Sequence, residues 1–123
     1  MNSLLIVDDN RIFRRTLKRI IESNLSQCLI REAADGPEAL RQIHEQEPDL
    51  ILMDIRLQGE NGLIVTERIK AERPETRIIF ITGHDSQEYR QAASRIGADG
   101  FLSKRRTSHQ EIIATVRSVL EEK

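Results

Sequence analysis

The chain alternates strand and helix five times, which predicts an α/β domain with a parallel sheet covered by helices on both faces. Three observations carry this prediction. Short runs of continuous apolar residues recur between acids, glycines and prolines, as strands buried on both faces require. Stretches with apolar residues at helical spacing lie between those runs. The connections are short, so successive parallel strands must be joined by right-handed helical crossovers. The 123 residues are enough for one domain, spanning 1–123, around a single hydrophobic core.

The first strand, Ser3 to Val7, contains Leu4-Leu5-Ile6-Val7 and delivers Asp8-Asp9-Asn10 at its carboxyl end. Asn10 or Asp9 can cap the helix that follows. In that helix Phe13, Leu17, Ile20 and Ile21 recur at helical spacing, while Arg14, Arg15, Lys18 and Arg19 point elsewhere. The second strand runs from Cys28 to about Ala34. Arg31 and Glu32 interrupt its apolar pattern, so it is placed at a sheet edge, and it is the only strand that reads as one. Asp35-Gly36-Pro37-Glu38 is a turn into a helix, with Pro37 at the first helical position, where its missing N–H costs nothing. Ala39, Leu40 and Ile43 form the buried face of this helix.

Pro48 ends that helix, and Leu50-Ile51-Leu52-Met53 forms the central strand between Asp49 and Asp54. A loop from Ile55 to Asn61 leads to a helix over about Gly62 to Glu72, with Leu63, Thr66 and Ile69 inward. Arg77 to Thr82 is the fourth strand, with Ile78-Ile79-Phe80-Ile81 as its apolar run. Asp85 and Glu88 have the spacing of a reciprocal N-terminal cap. The helix after them is thinly apolar, with Tyr89, Ala92, Ala93 and Ile96, and is expected to be weakly held. Gly97 ends it. Asp99 to Ser103 holds the fifth strand and delivers Lys104. Ser108 and Glu111 then cap a last helix lined by Ile112, Ile113, Val116, Val119 and Leu120.

Composition narrows the functional classes. A formal net charge of −1 gives no electrostatic case for direct nucleic-acid binding. Lys104-Arg105-Arg106 is the one local basic cluster. The lone Cys28 cannot form an internal disulfide and is expected to be a small buried apolar residue, which points to a reducing, cytoplasmic compartment. No apolar run is long enough to span a bilayer, and the N-terminus lacks the pattern of a signal peptide.

Four apolar strands therefore end in functional groups: Asp8 and Asp9, Asp54, Thr82, and Lys104. In a parallel sheet these ends share one edge, where ligands of such folds bind. Each residue has a plainer reading by itself. Asp9 could be a helix cap, Asp54 a loop anchor, Thr82 a cap residue, and Lys104 a solvated charge. Together they are mutually compatible. Two carboxylates about 4 Å apart repel by roughly 4 kcal/mol at an effective dielectric of 20, so a proton or a divalent cation must settle the cluster. Oxygen-only ligands suit Mg²⁺, and the lack of His or Cys at these ends argues against zinc. Carboxylate, hard cation, ammonium and hydroxyl together make a site where Asp54 can attack phosphorus and form an acyl phosphate.

These residues carry a family resemblance. Ile6-Val7-Asp8-Asp9-Asn10, Ala33-Ala34-Asp35-Gly36, Pro48 through Ile55, Ile79-Phe80-Ile81-Thr82-Gly83 and Gly97 through Lys104 resemble the receiver domain of two-component response regulators over essentially the whole chain. The resemblance implies a flavodoxin-like doubly wound (βα)5 fold with strand order 2-1-3-4-5. It implies that Asp54 accepts a phosphoryl group from a histidine kinase, a phosphotransfer protein or a small phosphodonor. Asp8, Asp9, Asp54 and the backbone carbonyl of Arg56 would hold Mg²⁺, Thr82 and Lys104 would bind phosphoryl oxygens, and Phe101 would be the switch aromatic. The chain would then be a regulatory phosphoacceptor and not an enzyme in its own right. The surface of the fourth helix, fifth strand and fifth helix would change on phosphorylation, with a homodimer as one outcome.

The chain departs from the common receiver pattern at three places. Arg105 stands where many receivers have a proline, Gln58 stands where the loop after the aspartate often has one, and the aromatic is Phe101 where tyrosine is frequent. A missing proline after the lysine is common in receivers joined to helix-turn-helix domains, so the output is expected to be transcription, or else that of a stand-alone receiver. Arg56 and His84 lie two residues past Asp54 and Thr82, where side chains can overhang a phosphate. The competing readings are a Mg²⁺-dependent phosphohydrolase acting through an aspartyl-phosphate, a flavin or nucleotide carrier, and an interaction module with a decayed site. The first would need a lid segment that the chain lacks. The second is opposed by Asp8 and Asp9 in the first loop, and the third by the complete set of site residues.

Overall fold

A computed structural model describes residues 2–121. Five parallel strands form the sheet: β1 (Asn2–Val7), β2 (Cys28–Ala33), β3 (Leu50–Met53), β4 (Arg77–Thr82) and β5 (Gly100–Ser103). They lie in the order β2-β1-β3-β4-β5. Five helices alternate with them: α1 (Arg11–Asn24), α2 (Gly36–Glu45), α3 (Gly62–Glu72), α4 (Gln87–Arg95) and α5 (His109–Glu121). This is the flavodoxin-like arrangement that the resemblance implies.

The period-2 alternation of strand side chains divides the core in two. Leu5 and Val7 of β1, Ile51 and Met53 of β3, and Ile78 and Phe80 of β4 face α2, α3 and α4, where they meet Ala39, Ile43, Val65, Ile69 and Ala93. Leu4, Ile6, Leu50, Leu52, Ile79 and Ile81 face the other way, onto Leu17 and Ile21 of α1 and Ile112, Ile113, Val116 and Val119 of α5. Strands buried on both faces have no polar positions to spare, which is why β3 reads as an unbroken apolar run.

Several local expectations shift. An open sheet has two edges, and β5 is the second one, with three of its four residues only half-buried. The sequence marks only β2 as an edge because Phe101 and Leu102 look like core residues in isolation. Asn10 is the α1 cap, accepting from the Phe13 N–H. Pro37 falls one position later than expected, since α2 starts at Gly36 with Asp35 as its cap. The α4 cap is Ser86, because the Asp85 carboxylate is engaged elsewhere. Cys28 is half-buried, not enclosed. The loop after Asp54 folds into a short antiparallel ladder, Arg56–Leu57 against Glu60–Asn61. The reciprocal Ser108–Glu111 cap forms as expected, at 3.0 and 3.1 Å.

Candidate phosphoryl-acceptor site

Strand register brings the acids together. Val7 pairs with Met53, and Met53 with Phe80. The ladder runs one step further, since the Asp54 N–H donates to the Val7 carbonyl at 3.0 Å and the Asp8 N–H to the Ala33 carbonyl at 3.1 Å. Asp8 and Asp54 are thus neighbours just beyond the last paired residues. Both continue the parity of the residues that face α1 and α5, as does Lys104 two residues after Leu102. Alternation along three strands therefore aims two carboxylates and one ammonium at the same side of the sheet edge.

Lys104 Nζ lies 2.7 Å from Asp8 Oδ2 and 3.0 Å from Asp54 Oδ2. Asp8 and Asp54 are buried, whereas Asp9 is exposed. One oxygen from each of Asp8, Asp9 and Asp54 lies within 4.8 Å of the others. Asp8 Oδ1 also accepts from the Asn10 N–H at 2.9 Å. Asp54 Oδ1 is buried and has no hydrogen-bond partner. Burial pushes the Asp8 carboxyl above its ordinary pKa, against the opposing pull of Lys104 and the Asn10 N–H. Burial works against the Lys104 ammonium too, but its bonds and charge interactions with Asp8 and Asp54 prevail and hold its pKa above the usual lysine value.

The donor set fits a hard divalent cation. Three ionised carboxylates against one ammonium leave a formal charge of −2, all the available ligands are oxygen, and Asp54 keeps one buried oxygen unpartnered. Arg56 sits in the first arm of the short ladder, two residues past Asp54, with an exposed side chain. Gly62, the first residue of α3, packs directly on the Asp54 carbonyl, so that a methyl there would overlap it.

Thr82 and Phe101 face the opposite side. Thr82 continues the parity of Ile78 and Phe80, towards α3 and α4, and is fully buried. Its hydroxyl accepts from the His84 N–H at 3.1 Å. Phe101 is half-buried, its ring centroid 6.3 Å from that of Phe80, with the Arg90 guanidinium of α4 4.8 Å above the ring. The Lys104 N–H donates to the Thr82 carbonyl at 2.9 Å, so the two residues are joined through backbone, and the Lys104–Arg105 bond is trans.

Two supporting residues escape sequence reasoning. Arg14 does not point away: its Nη1 donates to the Asp8 carbonyl at 2.7 Å and its Nε to Glu32 Oε1 at 2.8 Å. It pins the loop that carries the acids to β2. Phe13 is both a core residue and a platform, its ring centroid 4.2 Å from Lys104 Nζ. The Arg14 role depends on β2 lying beside β1, and the Phe13 role on the fold bringing the end of β5 over α1, and no local pattern encodes either.

The family model of the response regulator receiver domain matches residues 4–117. The chain belongs to the receiver-domain family. Among its relatives, the oxygen regulatory protein NreC of Staphylococcus haemolyticus is 35% identical over 117 residues, covering 94% of this receiver and 54% of that protein. The transcriptional activator protein ExaE of Pseudomonas putida is 36% identical over 117 residues, covering 95% and 54%. The receiver spans about half the length of these curated relatives. Among solved structures, a LuxR-family two-component response regulator from Aurantimonas superposes with a TM-score of 0.91 at 30% identity, covering 98% of this receiver and 85% of that chain. A CheY-like receiver domain protein from Methanospirillum hungatei gives 0.90 at 26% identity, covering 98% and 94%.

Proposed function

We propose that this receiver is a phosphorylation-dependent switch in which Asp54 accepts a phosphoryl group from a histidine kinase, a phosphotransfer protein or a small phosphodonor. The observation that carries the reading is the state of the Asp54 carboxylate. It is buried beside Asp8 and Asp9, one oxygen is held by Lys104, and the other is unpartnered. The free oxygen attacks phosphorus, a new P–O bond forms, and the bond to the donor's leaving atom breaks with its electron pair going to the donor. Lys104 presents its ammonium to the equatorial oxygens, and Thr82 supplies a hydroxyl donor once its loop moves towards them. Asp8, Asp9, Asp54 and the Arg56 backbone carbonyl would hold Mg²⁺. When bound, that ion neutralises charge on the phosphoryl oxygens.

Movement of Thr82 frees space on the α3–α4 side of the sheet, where Phe101 is half-buried. Phe101 then turns inward, and the surface made by α4, β5 and α5 changes its partners, a second copy of the chain among them. Ala93 is the only fully buried residue of α4, which suits an element that has two arrangements close in energy. The relatives include a transcriptional activator, so the output read from this surface is transcription, carried by a part of the protein other than this domain. The setting is the cytoplasm, where the phosphodonors are.

Incubation with Mg²⁺ and acetyl phosphate should add one acid-labile phosphoryl group to the intact mass, and the Asp54→Ala variant should gain none. An unchanged mass, or equal labelling of both proteins, would end the proposal. Sustained release of phosphate over many turnovers would favour a phosphohydrolase instead.

A further inference from the structure

The loops that carry Thr82 and Lys104 are tied together by a side-chain bond that lies outside the acid cluster. Ser103 Oγ donates to Asp85 Oδ2 at 2.7 Å. Ser103 immediately precedes Lys104 and is buried, while Asp85 lies three residues past Thr82. The same Ser103 oxygen accepts from the N–H groups of Arg105 and Arg106, at 3.3 and 3.2 Å. The Ser103 N–H donates to Thr107 Oγ1 at 3.1 Å, and Arg105 Nη2 reaches back to the Gly83 carbonyl at 3.2 Å. Arg106 Nε stands 3.9 Å from Asp85, but with a side chain 84% exposed it adds little. A proline at 105 would lack the N–H that Arg105 contributes to this web.

We infer that Ser103 and Asp85 are positioning residues for phosphoryl acceptance: their bond latches the loop bearing the Thr82 hydroxyl to the loop bearing the Lys104 ammonium. The inference rests on the phosphoryl-acceptor reading. Its physical basis is that the two donors approach the phosphoryl oxygens from opposite faces of the sheet edge, so their separation is set by the relative position of the two loops. The β4–β5 ladder ends with Thr82 opposite Ser103, and just beyond it the Lys104 N–H donates to the Thr82 carbonyl at 2.9 Å. Past that point side chains join the loops, Arg105 to the Gly83 carbonyl at 3.2 Å and the buried Ser103 hydroxyl to Asp85 at 2.7 Å, and the second is the shorter tie. Ser103 can serve in this way because it shares the parity of Phe101 and faces the α4 side, where Asp85 lies. The Asp85 carboxylate is held below its ordinary pKa, chiefly by the Ser103 hydroxyl, so it stays an acceptor at neutral pH.

The test measures the rate of labelling by acetyl phosphate in saturating Mg²⁺, together with amide exchange by NMR before any donor is added. Asp85→Ala should slow labelling about fivefold, the rate equivalent of one lost hydrogen bond, and Ser103→Ala, which also loses the bonds from the Arg105 and Arg106 N–H groups, at least as much. The double variant should be no slower than Ser103→Ala alone. Asp85→Asn keeps an acceptor oxygen and should stay close to the parent rate. Amides of residues 83–86, which do not bond to Ser103 Oγ, should exchange faster in Ser103→Ala but not in Asp85→Asn. The Asp85 side chain is half-buried and belongs to neither core, so its variants disturb the fold less than Ser103→Ala does. Parent-like labelling in Asp85→Ala, or additive losses in the double variant, would overturn the latch alone. A parent chain that never gains a phosphoryl group would overturn the acceptor reading and the latch together.

Discussion

Asp8 shows how a single residue can trade stability for a site. Its carboxyl is buried, and its pKa is raised mainly for that reason. The folded state therefore binds the proton more tightly than the unfolded chain does, and stability falls as pH rises from the ordinary carboxylate range through the raised value. Lys104 behaves differently. Its folded pKa is also raised, so its contribution is complete below the ordinary lysine value and is lost only as the pH climbs through the folded value, far into the alkaline range. At neutral pH and without a divalent cation, Asp8→Asn should therefore raise the melting temperature by a few degrees, as read by circular dichroism in EDTA. The gain should shrink or reverse when Mg²⁺ is present, because the variant loses a ligand. Asp8, Asp9, Asp54, Thr82 and Lys104 were legible in the sequence because each falls at the end of an apolar run, whereas Phe101, inside the fifth strand, was singled out by the family resemblance alone. Arg14 was not, because its partners Asp8 and Glu32 belong to two strands whose adjacency only the fold creates.

At the scale of elements, two glycines at helix starts have opposite tolerance. Gly62 begins α3 directly against the Asp54 carbonyl, and a Cβ there meets backbone that cannot move without shifting the end of β3. Gly36 begins α2 beneath the Glu60 carboxylate, and a Cβ there meets the far end of a flexible side chain. Gly62→Ala should lower both the melting temperature and the labelling rate at Asp54, whereas Gly36→Ala should leave labelling near the parent rate. Parallel thermal melts and mass-spectrometric time courses would check the contrast, and equal behaviour of the two variants would contradict it. Helix α4 shows how far pattern alone reaches. Its sparse apolar stripe was readable, and only Ala93 is fully buried in it. Its cap moved from Asp85 to Ser86 because Ser103, distant in sequence, takes up the Asp85 carboxylate. Spacing can nominate a cap, but a competing tertiary partner decides which residue serves.

The whole molecule is a sheet with two cores and one charged edge, and its stability should respond to what that edge binds. Any ion that binds the folded acids but not the unfolded chain stabilises the fold by mass action, about 1.4 kcal/mol at ten times its dissociation constant. Urea titrations should therefore show a higher midpoint with Mg²⁺ than with EDTA. The difference should disappear in Asp9→Ala, whose exposed side chain makes it the acid least needed for folding. The amino-acid sequence by itself determined the alternation of strands and helices, the burial of the apolar strands β1, β3 and β4, and the residues at the strands' carboxyl ends. Those follow from local periodicity, since an apolar run of strand length has few other ways to leave water. Only the tertiary structure decided that β5 is an edge, that Asp8, Asp54 and Lys104 share one side while Thr82 and Phe101 share the other, and that Arg14 and Ser103 brace the site. Sidedness depends on register between strands, and register is set by packing of the whole sheet at once, which no single stretch of chain contains.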